Sequence, residues 1–297
     1  MEIIGHKKQW EYLKSIVDSK RMAHAYLFSG PSQIGKKKIA LEFAKYINCA
    51  EAKKEPCNKC QSCYQTDQLS HSDLIFIEPE IDKKSISIEQ IRDLKDKVSL
   101  SPLNKGYKIA IIDQAHLMTF EAQSALLKQL EEPKGKKVII LITEYPQNLL
   151  TTIVSRCQAV RFWLVSEEEI KKRFKDSGMC AFGKPGMVIE SLEGKENGLI
   201  WEKRIAEIEE VKKKDLYHRF EYANQLSKEA EINQTFEIWL SYFRQLMQNQ
   251  ILDKDIKRLW ELSETRKIIN SIQDYQYLLS STPLNTRLTL ELFLLEI

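Results

Sequence analysis

Gly30-Pro31-Ser32-Gln33-Ile34-Gly35-Lys36-Lys37 follows the apolar run Ala25 to Ser29 and precedes a helical pattern from Lys38 to Ile47. The spacing is that of the phosphate-binding loop G-x-x-x-x-G-K-[ST] at every place except the last. Glycines let backbone N–H groups curl around a phosphate, and the helix N-terminus adds partial positive charge. Lys36 is placed to reach the β- and γ-phosphates, so Gly30, Gly35 and Lys36 are candidate ATP or ADP contacts. The last position normally gives a hydroxyl to Mg²⁺; here it is Lys37, whose ammonium cannot coordinate a metal and repels one.

The runs around this loop set the fold class. Ala25 to Ser29, Leu74 to Ile77, Lys108 to Asp113, Val138 to Thr143 and Ala159 to Trp163 read as strands, several of them continuously apolar. Such strands belong to a parallel sheet covered on both faces, joined by crossover helices. Between them, Ala122, Ala125, Leu126 and Leu130 form a helical stripe that Pro133 is expected to stop. The run Lys108 to Asp113 resembles the strand whose terminal acid holds Mg²⁺, and Asp113 keeps that acid. The next residue, usually a glutamate that polarises the attacking water, is Gln114, and a neutral amide cannot accept the proton. Two replacements in one site, both bearing on hydrolysis, predict negligible ATPase activity for the chain alone.

Beyond Val165 the character changes. Ser166 followed by three glutamates is a helix start, with a hydroxyl cap and acids complementing the free N–H groups. A short helical segment follows to about Gly198. No glycine occurs after Gly198, and Pro283 is the only proline there, so residues 201–297 read as all-α. Composition therefore suggests three zones: 1–164, 165–200 and 201–297.

Cys49, Cys57, Cys60 and Cys63 have the spacing C-x₇-C-x₂-C-x₂-C. Two overlapping C-x₂-C steps bring thiolates within reach of one ion, and four thiolates close a tetrahedral structural zinc site. Disulfides are the rival reading, disfavoured in a chain without an export signal. His71 is read as part of the loop entering the next strand, and Cys157 and Cys180 as ordinary buried thiols.

The 297 residues carry a formal net charge of +3, too little to indicate nucleic-acid binding alone. Basic clusters at 36–38, 171–173 and 212–214 could touch phosphates but are more often solvated helix faces, and the acidic pairs Glu131-Glu132 and Glu209-Glu210 are read as solvated faces. No apolar run approaches the ~20 residues of a membrane span. Met1 to Trp10 lacks the apolar core of a secretory signal, so a cytoplasmic location is expected.

His24-Ala25-Tyr26-Leu27-Phe28-Ser29-Gly30-Pro31, the stretch Ala122-Gln123-Ser124-Ala125-Leu126-Leu127-Lys128-Gln129-Leu130-Glu131-Glu132-Pro133 and the triplet Ser155-Arg156-Cys157 together resemble the AAA+ subunits of bacterial DNA polymerase III clamp loaders, above all their delta-prime class. The similarity is dense from about Gly5 to Phe162 and faint in the tail, where Asn285-Thr286-Arg287-Leu288 carries it. The resemblance implies an α/β AAA+ core with a zinc module at 49–63, a helical lid and an all-α collar that holds a ring. It implies ATPase and delta subunits as partners, and a sliding clamp and primed DNA reached through the complex. It makes Arg156 an arginine finger offered to a neighbour's ATP, and it adds Thr143, at the end of the sensor strand, to the nucleotide-site residues. Departures lie at Glu144, where many members have asparagine, and at Met187, where Gly183-Lys184-Pro185-Gly186 would be followed by arginine. A catalytically active clamp-loader ATPase or other DNA-dependent motor, tolerating Lys37 and Gln114, is the competing expectation. A nucleotide-sensing adaptor is a third.

Overall fold

In a computed structural model, residues 3–52, 55–80, 85–103, 106–131, 135–174, 182–192, 197–229, 232–252, 260–281 and 285–297 are described. The chain divides into two compact units, Met1–Gly186 and Met187–Ile297.

The first unit is built on five parallel strands, β1 (Ala25–Ser29), β2 (Leu74–Ile77), β3 (Lys108–Ile112), β4 (Lys137–Thr143) and β5 (Gln158–Arg161), in the order β2-β3-β4-β1-β5. Alternation along the central strands sends side chains to two separate cores. Tyr26, Phe28, Ile109, Ile111, Ile140 and Ile142 pack on one face, with Trp10 and Leu13 of helix α1 (Lys7–Asp18) and Ile39 and Phe43 of α2 (Lys36–Asn48). Leu27, Ala110, Ile112, Ile139 and Leu141 pack on the other. They meet Ile91 and Leu94 of α4 (Ile88–Ser99) and Leu126 and Leu130 of α5 (Phe120–Glu131). Burial on both faces explains why β1, β3 and β4 read as unbroken apolar runs. Helix α3 (Gln61–Asp67) lies between α2 and β2 in the chain, and α6 (Thr151–Val154) and α7 (Glu167–Arg173) flank β5. As expected, Ser166 caps α7 by accepting the Glu169 N–H.

Strand ends differ from expectation where the backbone turns toward the site. Asp113 lies just past β3, and β5 stops at Arg161, leaving Trp163 64% exposed. Pro133, the expected stop of α5, lies outside the described residues, as do Cys180 and Pro283.

The unit division falls at the start of α8 (Pro185–Leu192). The second unit continues with α9 (Asn197–Lys213), α10 (Leu216–Leu226), α11 (Ile232–Leu252), α12 (Leu262–Ser281) and α13 (Thr286–Leu295), and no strand occurs among its described residues. Aromatic rings fill its core: Trp239 stacks on Phe293 at 5.4 Å, and Phe243 meets Trp260 edge-on at 5.0 Å. Asn285 caps α13 by accepting the N–H groups of Arg287 and Leu288, so the tail's one similar stretch marks a helix start. Two surface assignments are corrected here. Lys212 lies over the Trp260 ring at 3.9 Å and pairs with Glu264 at 2.8 Å, and Glu209 accepts the Tyr242 hydroxyl. Long side chains with apolar stems or nearby aromatic partners leave the solvated face that charge patterning assigns them. Among the described residues, no helix is long and apolar enough to cross a membrane.

Candidate nucleotide site, trans arginine and metal centre

The strand order puts β1 between β4 and β5, and the loop leaving β1 opens at the carboxyl ends of the strands, where α/β sheets bind ligands. Ser29 is in register with Thr143 on one side and Arg161 on the other. Gly30 N–H donates to the Thr143 carbonyl at 3.2 Å. A Cβ at position 30 would stand 2.4 Å from the Phe162 carbonyl oxygen, so only glycine allows this approach. Gly30→Ala is expected to lower the stability of the first unit by about 2–4 kcal/mol. Urea denaturation of the variant checks this, and an unchanged midpoint would contradict it.

Lys36, buried at the start of α2, directs Nζ at the Gly30 carbonyl at 2.7 Å and at the Pro31 carbonyl. The expected solvated face at residues 36–38 is corrected at this position. Thr143, fully buried at the end of β4, accepts the Tyr145 N–H at 3.1 Å and lies 3.3 Å from His116 Nδ1. The predicted residues Gly30, Gly35, Lys36, Asp113 and Thr143 therefore gather at one end of the sheet.

Lys37 occupies the other side of the loop. Its Nζ is 3.7 Å from Asp113 Oδ2, 3.5 Å from Glu78 Oε2 and 4.3 Å from the centre of the Phe76 ring. Burial raises the pKa of Asp113, and the Lys37 charge offsets only part of that rise. An ammonium beside the metal-holding acid leaves these residues a poor fit for magnesium. Gln114 is exposed, with its backbone N–H on Asp113 Oδ1 at 3.0 Å. Met187 is buried, at the first position of the second unit.

Sequence reasoning missed Lys184 and Gln123. Lys184 is 4% exposed, and its Nζ donates to Ser32 Oγ of the phosphate loop at 3.1 Å. Gly186 docks the same segment, its N–H donating to the Gln33 carbonyl at 2.8 Å. Gln123, buried on α5, donates to the Met118 and Asn148 carbonyls and accepts the Leu150 N–H at 2.8 Å. That fixes the turn leading into α6 and so the segment carrying Arg156. Only its presence in the α5 motif signals it in the sequence.

Arg156 lies just after α6. Its guanidinium donates to the Thr152 carbonyl at 3.0 Å and pairs with Glu131 Oε1 at 2.9 Å, and its side chain is 36% exposed. Glu131 is exposed, as its reading as a solvated face expects, and pairs there with Arg156; Glu132 lies outside the described residues. Cys157 is half-buried rather than fully enclosed, and burial pushes its thiol up to about 12.

Sγ atoms of Cys49, Cys57, Cys60 and Cys63 all lie within 4.8 Å of one another. Cys49 to Cys60 and Cys57 to Cys63 are each 3.9 Å. Four sulfurs at zinc–thiolate distance around a tetrahedral ion lie about 3.8 Å apart, so the cluster fits a metal. N–H groups of Cys57, Cys60 and Cys63 each point at a preceding cysteine sulfur. Backbone donors at Lys59 and Cys60 lower the Cys57 thiol to about 7, whereas burial raises Cys49 and Cys63. A cation at the centre would favour all four thiolates. As expected, His71 is not part of the cluster. Its Nε2 meets Ser62 Oγ at 3.0 Å and its Nδ1 accepts the Asp73 N–H at 3.0 Å, which ties α3 to the start of β2.

The subunit tau of DNA polymerase III from Bacillus subtilis is 40% identical over 174 residues, covering 58% of this chain and 30% of that protein. The subunit delta' of the same organism is 40% identical over 161 residues, covering 54% of this chain and 48% of that protein. The matched stretches thus span about half or less of these relatives. A solved DNA polymerase III gamma subunit-related protein from Thermotoga maritima is 23% identical, with 97% of both chains covered and a TM-score of 0.49. Residues 5–165, more than half the chain, match the family model for DNA polymerase III, delta subunit, and the chain belongs to that clamp-loader family.

Proposed function

We propose that this chain is a delta-prime-type clamp-loader subunit that does not hydrolyse ATP itself and supplies Arg156 to the ATP site of a neighbouring subunit. Identity alone does not separate this from the ATPase reading, because the tau and delta' relatives are equally similar at 40%. The residues of the site support the non-hydrolysing reading. Lys37 Nζ lies 3.7 Å from the one acid that would hold magnesium, and this observation carries the proposal. A lysine beside the metal-holding acid disfavours magnesium, and Gln114 cannot accept a proton from water; both features oppose hydrolysis in cis.

The reading assigns ATPase and delta subunits as partners, with the sliding clamp and primed DNA reached through the assembly in the cytoplasm. Contact with DNA would be through phosphates, without base readout. In this reading residues 165–200 are the lid and 201–297 the collar by which the chain joins a ring. Zinc on Cys49, Cys57, Cys60 and Cys63 holds the inserted module.

The purified chain is expected to show no ATP turnover above a Lys36→Ala control, while clamp loading by the reconstituted complex is lost when the chain is omitted. Turnover at an ordinary enzymatic rate would instead support the active-ATPase alternative.

A further inference from the structure

Resting on residues 30–37 as a nucleotide-phosphate loop, we propose that this chain binds a nucleoside di- or triphosphate in its metal-free form, with Lys37 as a built-in cation in magnesium's place. Three groups hold the Lys37 ammonium: Asp113 at 3.7 Å, Glu78 at 3.5 Å and the Phe76 ring at 4.3 Å. Left uncovered, the two carboxylates would repel a phosphate at this end of the sheet. Covered by Lys37, they need no divalent ion, and the same charge keeps one out.

The loop carries further positive charge where a polyphosphate would lie. Lys36 and Lys184 are 6% and 4% exposed, and both ammonium groups touch loop atoms, at Gly30 O and Ser32 Oγ. Lys184 is held there by the backbone: a Cβ at position 186 would come within 2.8 Å of the Gln33 carbonyl oxygen, so glycine permits the docking. Two ammonium groups on one phosphate loop, with a third over the metal-holding acid, form a site matched to a polyanion that brings no metal. Lys37 is 43% exposed, so it can shift toward an incoming phosphate while staying near Asp113.

The test titrates the full-length chain, stripped of bound nucleotide, with the fluorescent N-methylanthraniloyl derivative of ADP, in EDTA and in excess magnesium. Binding is expected to be tighter in EDTA, because excess magnesium complexes the free nucleotide and depletes the metal-free form. In Lys37→Thr, which restores a hydroxyl, binding in EDTA is expected to weaken at least about tenfold and magnesium to recover it. Lys184→Met is expected to weaken binding about tenfold in both buffers. Should Lys37→Thr not fold, the wild-type comparison decides alone. Binding that requires magnesium overturns the proposal, as does Lys37→Thr behaving like wild type. No binding in either buffer also overturns it, yet leaves the partner-subunit reading intact, because a site without nucleotide hydrolyses none and the part of Arg156 is tested in the assembled complex.

Discussion

Arg156→Ala is expected to slow ATP hydrolysis by the neighbouring subunit about a thousandfold in the reconstituted complex, while this chain stays folded. A guanidinium at the γ-phosphate stabilises charge that develops only in the transition state, which makes the loss so large. The resting position of Arg156 does not oppose this role. Its ion pair with Glu131 has partners 36% and 48% exposed, and exposed pairs contribute only ~0–1 kcal/mol. The side chain can therefore leave Glu131 for a phosphate at little cost. Glu131→Gln should change the rate less than about threefold, whereas Arg156→Lys should rescue little, because lysine lacks the planar fork. Steady-state phosphate release from the complex measures all three variants. A rate in Arg156→Ala equal to wild type would leave the chain with only a structural part in the ring.

Removing the metal from the four-cysteine cluster is expected to have the second large effect. Structural zinc sites of this kind contribute ~10–16 kcal/mol of binding free energy that is spent on folding the surrounding segment. The segment here has little apolar core of its own, and Cys63 is its one fully buried cysteine. Polar ties attach it to the rest of the unit. Lys45 of α2 reaches Asn58 at 2.7 Å and Asp67 at 3.0 Å, and Ser62 reaches His71 at 3.0 Å. Melting the module therefore strips partners from a lysine that is 1% exposed. Cys63→Ser, or stripping with a strong chelator, should cost the first unit at least about 3 kcal/mol. Elemental analysis should find one zinc per wild-type chain and well under one in Cys63→Ser. Metal-free wild-type protein with an unchanged melting temperature would contradict this account of the module.

How much of this was legible in the sequence follows from how local each signal is. The strands could be read because a strand covered on both faces must be apolar at every position, and Ala25–Ser29 and Leu74–Ile77 fall where expected. The cysteine cluster could be read because its ligands lie within one short stretch, and so could the Ser166 cap, whose acceptor and donor are three residues apart. Glu78, Lys184 and Gln123 could not. Glu78 meets Lys37 across 41 positions, and Lys184 meets Ser32 across 152. Neither separation leaves a pattern in a single chain. Gln123 sits on the buried stripe of α5 as a polar residue among apolar ones, and only its three backbone partners explain its presence there. The pairing of Arg156 with Glu131 escaped for the same reason: each residue reads alone as an exposed charge.

The central claim is an asymmetry, with hydrolytic chemistry lost in cis and kept in trans. Clamp loading on primed DNA by the reconstituted complex tests it most directly, with this chain as wild type, Gln114→Ala or Arg156→Ala. Gln114 is exposed, so its removal leaves the fold intact. The account predicts loading within about twofold of wild type for Gln114→Ala and near-complete loss for Arg156→Ala. Loss of loading in Gln114→Ala with loading retained in Arg156→Ala would contradict it.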